Sequence, residues 1–271
     1  MIGRAPGKGK TNMDLGIAGK VALVTGASSG LGFATAAALV TEGARVAICS
    51  RDSGRIAAAR DKLGGAPVAL VCELGDAGSR DRMVRDIEAA LGPIDILVVN
   101  SGGPPSGPFE SHGDEMWSEA VNEHLGAVVG LTRQVLPGMR ARKWGRILTV
   151  TSVSLKQPAE GMILSTMARG AVLGFIRSLA NEVARDGVTV NNLMPGYTET
   201  DRIRELTAQI AGRTGRSKSD IVAEWEDAIP VGRLGRPQEF ADMAAMLCSD
   251  RASYVTGASI AVDGGWIKSL L

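Results

Sequence analysis

The chain has 271 residues, 45% of them hydrophobic, and a formal net charge of +1. That length supports one large α/β domain or two small ones, with a sizeable core. A near-neutral balance without like-charge runs, and aromatics at only 4%, exclude an electrostatic nucleic-acid or membrane-surface binder and a base-stacking platform.

Residues 1–15 are Gly- and Lys-rich without an apolar segment. They read as a flexible N-terminal extension rather than a secretory leader, with Met13 as an alternative start. Residues 16–271 show no repeat and no composition shift, and read as a single domain. No apolar run approaches the ~18 residues needed to span a bilayer. Cys49, Cys72 and Cys248 are odd in number and lack C-x-x-C spacing. They read as small buried hydrophobes in a reducing, cytoplasmic setting, not as a disulfide frame or a zinc site. His112 and His124 suggest no metal-ligand cluster.

The first predicted strand is the apolar run Val21–Val24. Gly26, Ser28, Ser29, Gly30, Leu31 and Gly32 form a glycine turn after it, and residues 33–40 are an Ala-rich helix former. A strand–glycine turn–helix lets backbone N–H groups face an anion, and glycine permits a phosphate to approach closely. The spacing is Gly26-x-x-x-Gly30-x-Gly32, not G-x-G-x-x-G. A second strand, residues 45–50, ends at Ser50-Arg51, roughly 20 residues beyond the turn, where dinucleotide folds read the adenosine ribose. Ser50 stands where an acid would serve NAD, and the neighbouring Arg51 favours a 2′-phosphate, hence NADP(H).

Helical residues 56–63 lead to a third strand, residues 67–72, which exits at Glu73-Leu74. Helical residues 79–91 lead to a fourth strand, residues 94–99, which ends in Asn100-Ser101-Gly102-Gly103. A long helical pattern over residues 116–139 is terminated or kinked by Pro137. Residues 146–151 are a fifth strand ending at Ser152, residues 165–185 a helix, and residues 188–193 a sixth strand before Pro195-Gly196. Residues 198–227 are charged and read as a mobile lid. A helix over residues 237–247 and a last strand over residues 258–262 complete the chain. Alternating strands and helices with continuous apolar strands imply a parallel α/β sheet covered on both faces, with ligands at the C-terminal strand ends.

Together Thr25-Gly-x-x-x-Gly-x-Gly32, Asn100-Ser-Gly-Gly103, the strand ending in Ser152, Pro195-Gly196 and Thr256-Gly257…Asp263-Gly-Gly265 resemble the short-chain dehydrogenase/reductase family. The nearest resemblance is to its 3-oxoacyl-thioester reductase branch. It implies one doubly wound Rossmann-type domain with a seven-stranded parallel sheet, a homotetramer or homodimer, and an oxidoreductase that interconverts a small carbonyl and alcohol with NADP(H). The resemblance makes Gly26 to Gly32 the phosphate turn and Arg51 the 2′-phosphate reader. Glu73 and Leu74 then lie beside the adenine, and Asn100 and Gly102 beside the adenosine ribose. Pro195, Gly196, Thr198 and Thr200 hold the nicotinamide amide.

The catalytic pattern departs from that family. Relatives carry Asn, Ser, Tyr and Lys; here the Tyr position is Ser165, the Lys position Arg169, and the Asn position His124, and only Ser152 is retained. A serine hydroxyl is a far weaker acid than a phenol of pKa ~10. Arg169 donates hydrogen bonds but relays no proton. The expected arrangement has Ser152 and Ser165 at the substrate oxygen and Arg169 at the ribose. His124 acts either as the new proton source or as a polar filler holding a water. Tyr197 is a second candidate donor, or packs its loop. The alternatives are a cofactor-binding homologue without catalysis and, further off, a non-redox lyase on the same fold.

Overall fold

Val-Ala-Leu-Val at Val21–Val24 (β1) buries all four side chains, so the sheet it joins is covered on both faces. The computed structural model describes residues 13–270. After β1 the chain runs through α1 (Gly30–Thr41), β2 (Arg45–Ser50), α2 (Ser53–Leu63), β3 (Val68–Val71), α3 (Ala77–Leu91) and β4 (Ile96–Val99). Next come α4 (Asp114–Val121), α5 (Ala127–Ala141), β5 (Gly145–Val150), α6 (Ile163–Val183) and β6 (Val188–Pro195). The last elements are α7 (Asp201–Thr214), α8 (Lys218–Ala228), α9 (Pro237–Leu247) and β7 (Ser259–Val262).

The seven strands pair in the order β3-β2-β1-β4-β5-β6-β7, all parallel. The doubly wound α/β fold is therefore as expected. One face carries α1, α2 and α9, with Ala34, Ala38, Ala241 and Ala244 letting α1 and α9 approach closely. The other carries α3, α5 and α6 around Met83, Leu131, Val135 and Ile176. The chain reverses direction across the sheet between β1 and β4. Crossovers leaving on opposite sides open a crevice there at the C-terminal ends.

Two expectations change. The long helix over residues 116–139 is two helices joined by a π-helical turn, Asn122–Gly126, which sequence periodicity does not distinguish from α-helix. Pro137 does not end it: α5 continues to Ala141 with Pro137 inside. The charged stretch over residues 198–227 is two helices, α7 and α8, each started by a side-chain cap from Thr200 and Ser217.

Most of the N-terminal extension lies outside the described residues. Of its last residues, the Leu15 carbonyl accepts from Asp250 N at 3.0 Å and the Asp14 carbonyl from Arg251 Nε at 2.7 Å. Helix α6 is long and apolar enough to cross a membrane. Leu164, Ala168, Val172 and Ile176 along it are buried inside the protein, which accounts for that composition.

Candidate functional site

A cleft of about 850 Å³ runs along the C-terminal strand ends. Its centre is the turn after β1. Gly26 has φ +58°, and a Cβ there would meet the Asn100 carbonyl oxygen at 2.6 Å. A Cβ on Gly32 would stand 2.4 Å from the Gly26 oxygen. Glycine is required at both because β1, α1 and the β4 exit crowd together. Asn100 fastens the crowding: its Nδ2 donates to the Gly26 oxygen at 3.0 Å, and its backbone N to Thr25 Oγ1 at 3.0 Å. Thr25 Oγ1 donates in return to the Asn100 oxygen at 2.7 Å. The Ser29 side chain, at the N-cap of α1, accepts no bond from the helix backbone. The first N–H groups of α1 therefore stay available to an anion in the cleft.

Two guanidinium groups stand beside the end of β2. Arg51 pairs with Glu123 at 3.4 Å across the cleft, and its side chain is 66% exposed. Arg55, in the first turn of α2, donates to Ser29 Oγ at 3.0 Å. Sequence reasoning found Arg51 and missed Arg55; the signal was its position four residues on, one helical turn away. Asp52 starts α2 by accepting from Arg55 N at 2.8 Å, and so fixes where that side chain begins. Glu73 and Leu74 close this end of the wall.

Two cysteines taken for mere filling, Cys49 and Cys72, also border the cleft. The Cys72 thiol is lowered to about 7, chiefly by its hydrogen bond with Cys49.

At the other end lie Ser152, Arg169, Pro195, Gly196, Thr198 and Thr200. The Ser152 hydroxyl accepts from Ser154 N at 3.1 Å. Gly196 fits against Asp263, whose Cβ a side chain would strike at 2.7 Å. Thr198 donates to the Gly196 oxygen at 3.3 Å.

Three residues expected at the site stand behind its wall. Gly32 is packed as described. Ser165 is 1% exposed and accepts from Arg169 Nη1. His124 faces a separate void of about 10 Å³ shared with Ser101, Thr151 and Arg169, room for about one water. Its Nδ1 is 2.7 Å from Ser101 Oγ, and Nε2 has no protein partner. Burial first, and the Arg169 charge second, lower its pKa to about 3, so the ring is neutral at ordinary pH.

Arg169 is 8% exposed, and its Nε has no partner. Burial, then the Arg202 charge, pull its pKa down to about 10. Helices α7 and α8 roof this end with Ile203, Leu206, Ile210, Arg213 and Trp225. Tyr197 stacks on Trp225 at 4.7 Å and meets Trp266 edge-on at 5.6 Å. The stack holds Tyr197 in its loop, and burial raises its phenol pKa, which disfavours it as an acid. Spacing gave no signal for this aromatic wall, whose three rings come from separate segments.

A doubly wound sheet with a glycine turn at its switch point defines a dinucleotide-binding α/β protein. A family model described as enoyl-(acyl carrier protein) reductase matches residues 26–267. The 3-oxoacyl-acyl-carrier-protein reductase of Escherichia coli (strain K12) is 36% identical over 91% of this chain and 97% of its own length. The acetoacetyl-CoA reductase of Rhizobium meliloti (strain 1021) is 35% identical over 91% and 98%. Among solved structures, L-sorbose reductase from Gluconobacter frateurii, complexed with NADPH and L-sorbose, superposes with a TM-score of 0.89 at 32% identity, covering 95% of this chain and all of that one. The chain belongs to the short-chain dehydrogenase/reductase family of oxidoreductases.

Proposed function

We propose that this protein is an NADP(H)-dependent oxidoreductase interconverting a small carbonyl compound and its alcohol, with a non-standard route for the proton. The observation that carries the reading is the single cleft that places a glycine turn, two cations beside the β2 end, and Ser152 with Arg169 along one wall. The residues fit the cofactor. Ser28 to Leu31 and the α1 N-terminus suit a pyrophosphate, Arg51 and Arg55 a 2′-phosphate. Glu73 and Leu74 suit the adenine, and Asn100 and Gly102 its ribose. Pro195, Gly196, Thr198 and Thr200 suit the nicotinamide amide, and Arg169 the second ribose. When bound, NADP(H) supplies or accepts a hydride at its nicotinamide ring.

The chain's own residues do the rest. Ser152 donates a hydrogen bond to the substrate oxygen, and the Arg169 charge steadies the negative charge that develops there. Ser165 orients the Arg169 guanidinium from behind. His124, neutral, holds with Ser101 a water next to Arg169; this water passes a proton through the Ser101 hydroxyl, which borders both void and cleft, to the alkoxide, and the hydroxide left behind takes a proton from solvent. His124 thus acts as a relay rather than as an imidazolium donor. All four residues of the edge strand β7 are only half-buried, which supports assembly as a homotetramer or homodimer.

NADPH consumption with a panel of ketones, thioesters and oxo acids tests the reading; turnover that falls strongly in Ser152→Ala supports it. Calorimetry showing no heat with NADPH or NADP⁺ defeats it. One observation favours the silent, cofactor-binding alternative: Ser165, where relatives carry their phenol, does not reach the cleft. That alternative predicts NADPH binding without turnover, and activity created by Ser165→Tyr with Arg169→Lys.

A further inference from the structure

We infer that the substrate end of the cleft is built for an anionic group, and that the carbonyl substrate carries a carboxylate seated between Arg169 and Arg202. The inference rests on the oxidoreductase reading and names its substrate class.

The argument is one of uncompensated charge. Arg169 projects from α6 into the wall of the cleft, more than nine-tenths buried, and its one protein partner is the neutral Ser165 hydroxyl. Its Nε donates to nothing. Among the described residues no carboxylate forms an ion pair with it. Glu160, Glu205 and Glu224 line the same cleft, but Glu205 pairs with Arg202 at the 4.0 Å limit and Glu224 with Arg216 at 2.5 Å.

The charge Arg169 feels is of its own sign. Arg202, in the first turn of α7, reaches back over the Gly103 loop, where its Nη2 donates to the Pro104 oxygen at 3.2 Å. Its terminal nitrogen stands 3.2 Å from where a Gly103 Cβ would be. On its other side Arg169 faces the neutral ring of His124. Two guanidinium groups therefore line one end of the cleft, Arg169 with no carboxylate partner and Arg202 met by Glu205 only at the 4.0 Å limit. Burying an unpaired charge is costly, and a guanidinium fork matches a carboxylate in a two-point contact.

The neighbouring wall suits an organic anion rather than an inorganic one. Tyr197, stacked on Trp225 with Trp266 edge-on, supplies an aromatic wall in the same cleft. Ser152 lines the same cleft, and its hydroxyl, which accepts from Ser154 N, is free to donate to a carbonyl oxygen. The seat thus takes a short 2-oxo or 3-oxo carboxylate: carboxylate on the two arginines, carbonyl oxygen at Ser152, and carbon chain along the rings.

The experiment compares NADPH consumption with short 2-oxo and 3-oxo carboxylates, each beside its methyl ester. We expect kcat/KM to favour the acid by about 100-fold, the size of a charge-assisted two-point contact. The preference falls to near unity in Arg169→Leu, partly survives in Arg169→Lys, and shrinks about tenfold in Arg202→Leu. The ratio of acid to ester is the readout, so general damage that lowers both rates does not imitate the effect; where Arg169→Leu, which also loses its contacts to the ribose and the alkoxide, turns over neither, the ratio in Arg202→Leu decides. Esters used as well as acids, or a preference unchanged in both leucine variants, overturn the inference while the oxidoreductase reading stands. If neither acid nor ester is turned over, calorimetry with the same carboxylates on the NADP⁺-loaded protein decides. Heat that disappears in Arg169→Leu keeps the anion seat and defeats the oxidoreductase reading, and no heat defeats the seat as well.

Discussion

Two arginines of this chain are almost equally buried, at opposite ends of the sheet, and they live in different surroundings. Arg146, at the N-terminal end of β5, is 3% exposed. It donates to the carbonyls of Ser249 at 2.9 Å, Gly145 at 2.9 Å and Gly187 at 3.3 Å, and reaches Asp250 at 3.4 Å. Its guanidinium lies over the Trp144 ring at 4.4 Å. Arg169, at the C-terminal end, has one hydroxyl, an idle Nε and a like charge nearby. A buried cation with every nitrogen engaged is part of the fold. A buried cation left short of partners in a cleft wall is held ready for something the fold does not contain.

The sharpest way to break this contrast is to make the same substitution at both places. Arg146→Leu leaves buried carbonyls without donors and takes from Asp250 its ion-pair partner. Stability should drop by about 3 kcal/mol in urea unfolding, since each orphaned buried acceptor costs about 1–3 kcal/mol. Arg169→Leu removes a desolvated charge that little opposes, so stability should stay level or rise by about 1 kcal/mol. Equal losses in the two variants would show that Arg169 is a structural residue like Arg146, and the functional contrast between the two ends would go.

A smaller effect comes from the residue wedged beside Arg169. The folded-state pKa of His124 is about 3, against ~6.5 in an unfolded chain. The folded protein therefore binds fewer protons at this site than the unfolded one below pH 6.5. Stability from this group is complete above pH 6.5 and falls as pH drops toward 3, at up to about 1.4 kcal/mol per pH unit. From pH 7 to pH 5 the cost is about 2 kcal/mol. His124→Asn, which cannot titrate, should show a decline shallower by that amount when urea midpoints are compared at the two pH values. Identical slopes would mean that the ring is not held neutral, and the water-relay role given to it would fall.

The cleft's two halves differed in how well the sequence announced them. The phosphate half was legible because backbone geometry constrains it. Gly26 needs a positive φ and Gly32 has no room for a Cβ, so glycine shows at fixed spacing beside a four-residue apolar strand. A parallel sheet covered on both faces followed from alternating strands and helices with continuous apolar runs at β1, β4 and β6. The substrate half was less legible because it is made by side chains that converge from distant segments. Arg169 was visible as a departure from a pattern. Its lack of a carboxylate partner, and the approach of Arg202 from a stretch read as a mobile lid, were not. The positions of Ser165 and His124 behind the wall depend on how α6 and the π-helical turn at Asn122–Gly126 rotate their side chains. A shift of one residue in helical phase is invisible to a count of spacings.

The mildest effect tests the cation pair at the adenosine end. Arg51 is mostly exposed and shares its charge with Glu123 at 3.4 Å. Water and salt screen such a group, so a contact from it to a 2′-phosphate is worth far less than a buried one. Arg51→Ala and Arg55→Ala should each weaken NADPH binding by about three- to tenfold, leave NADH binding nearly unchanged, and lose much of the difference in high salt. Glu123 competes with the phosphate for Arg51, so Glu123→Gln should act in the opposite direction and tighten NADPH by about two- to threefold. The opposite signs are the informative part. A merely structural role for the Arg51–Glu123 pair would make both substitutions change NADPH and NADH binding alike. A phosphate reader makes them diverge for NADPH alone, and places this end of the cleft, like the end at Arg169, among the parts of the molecule whose charges are set out for a ligand.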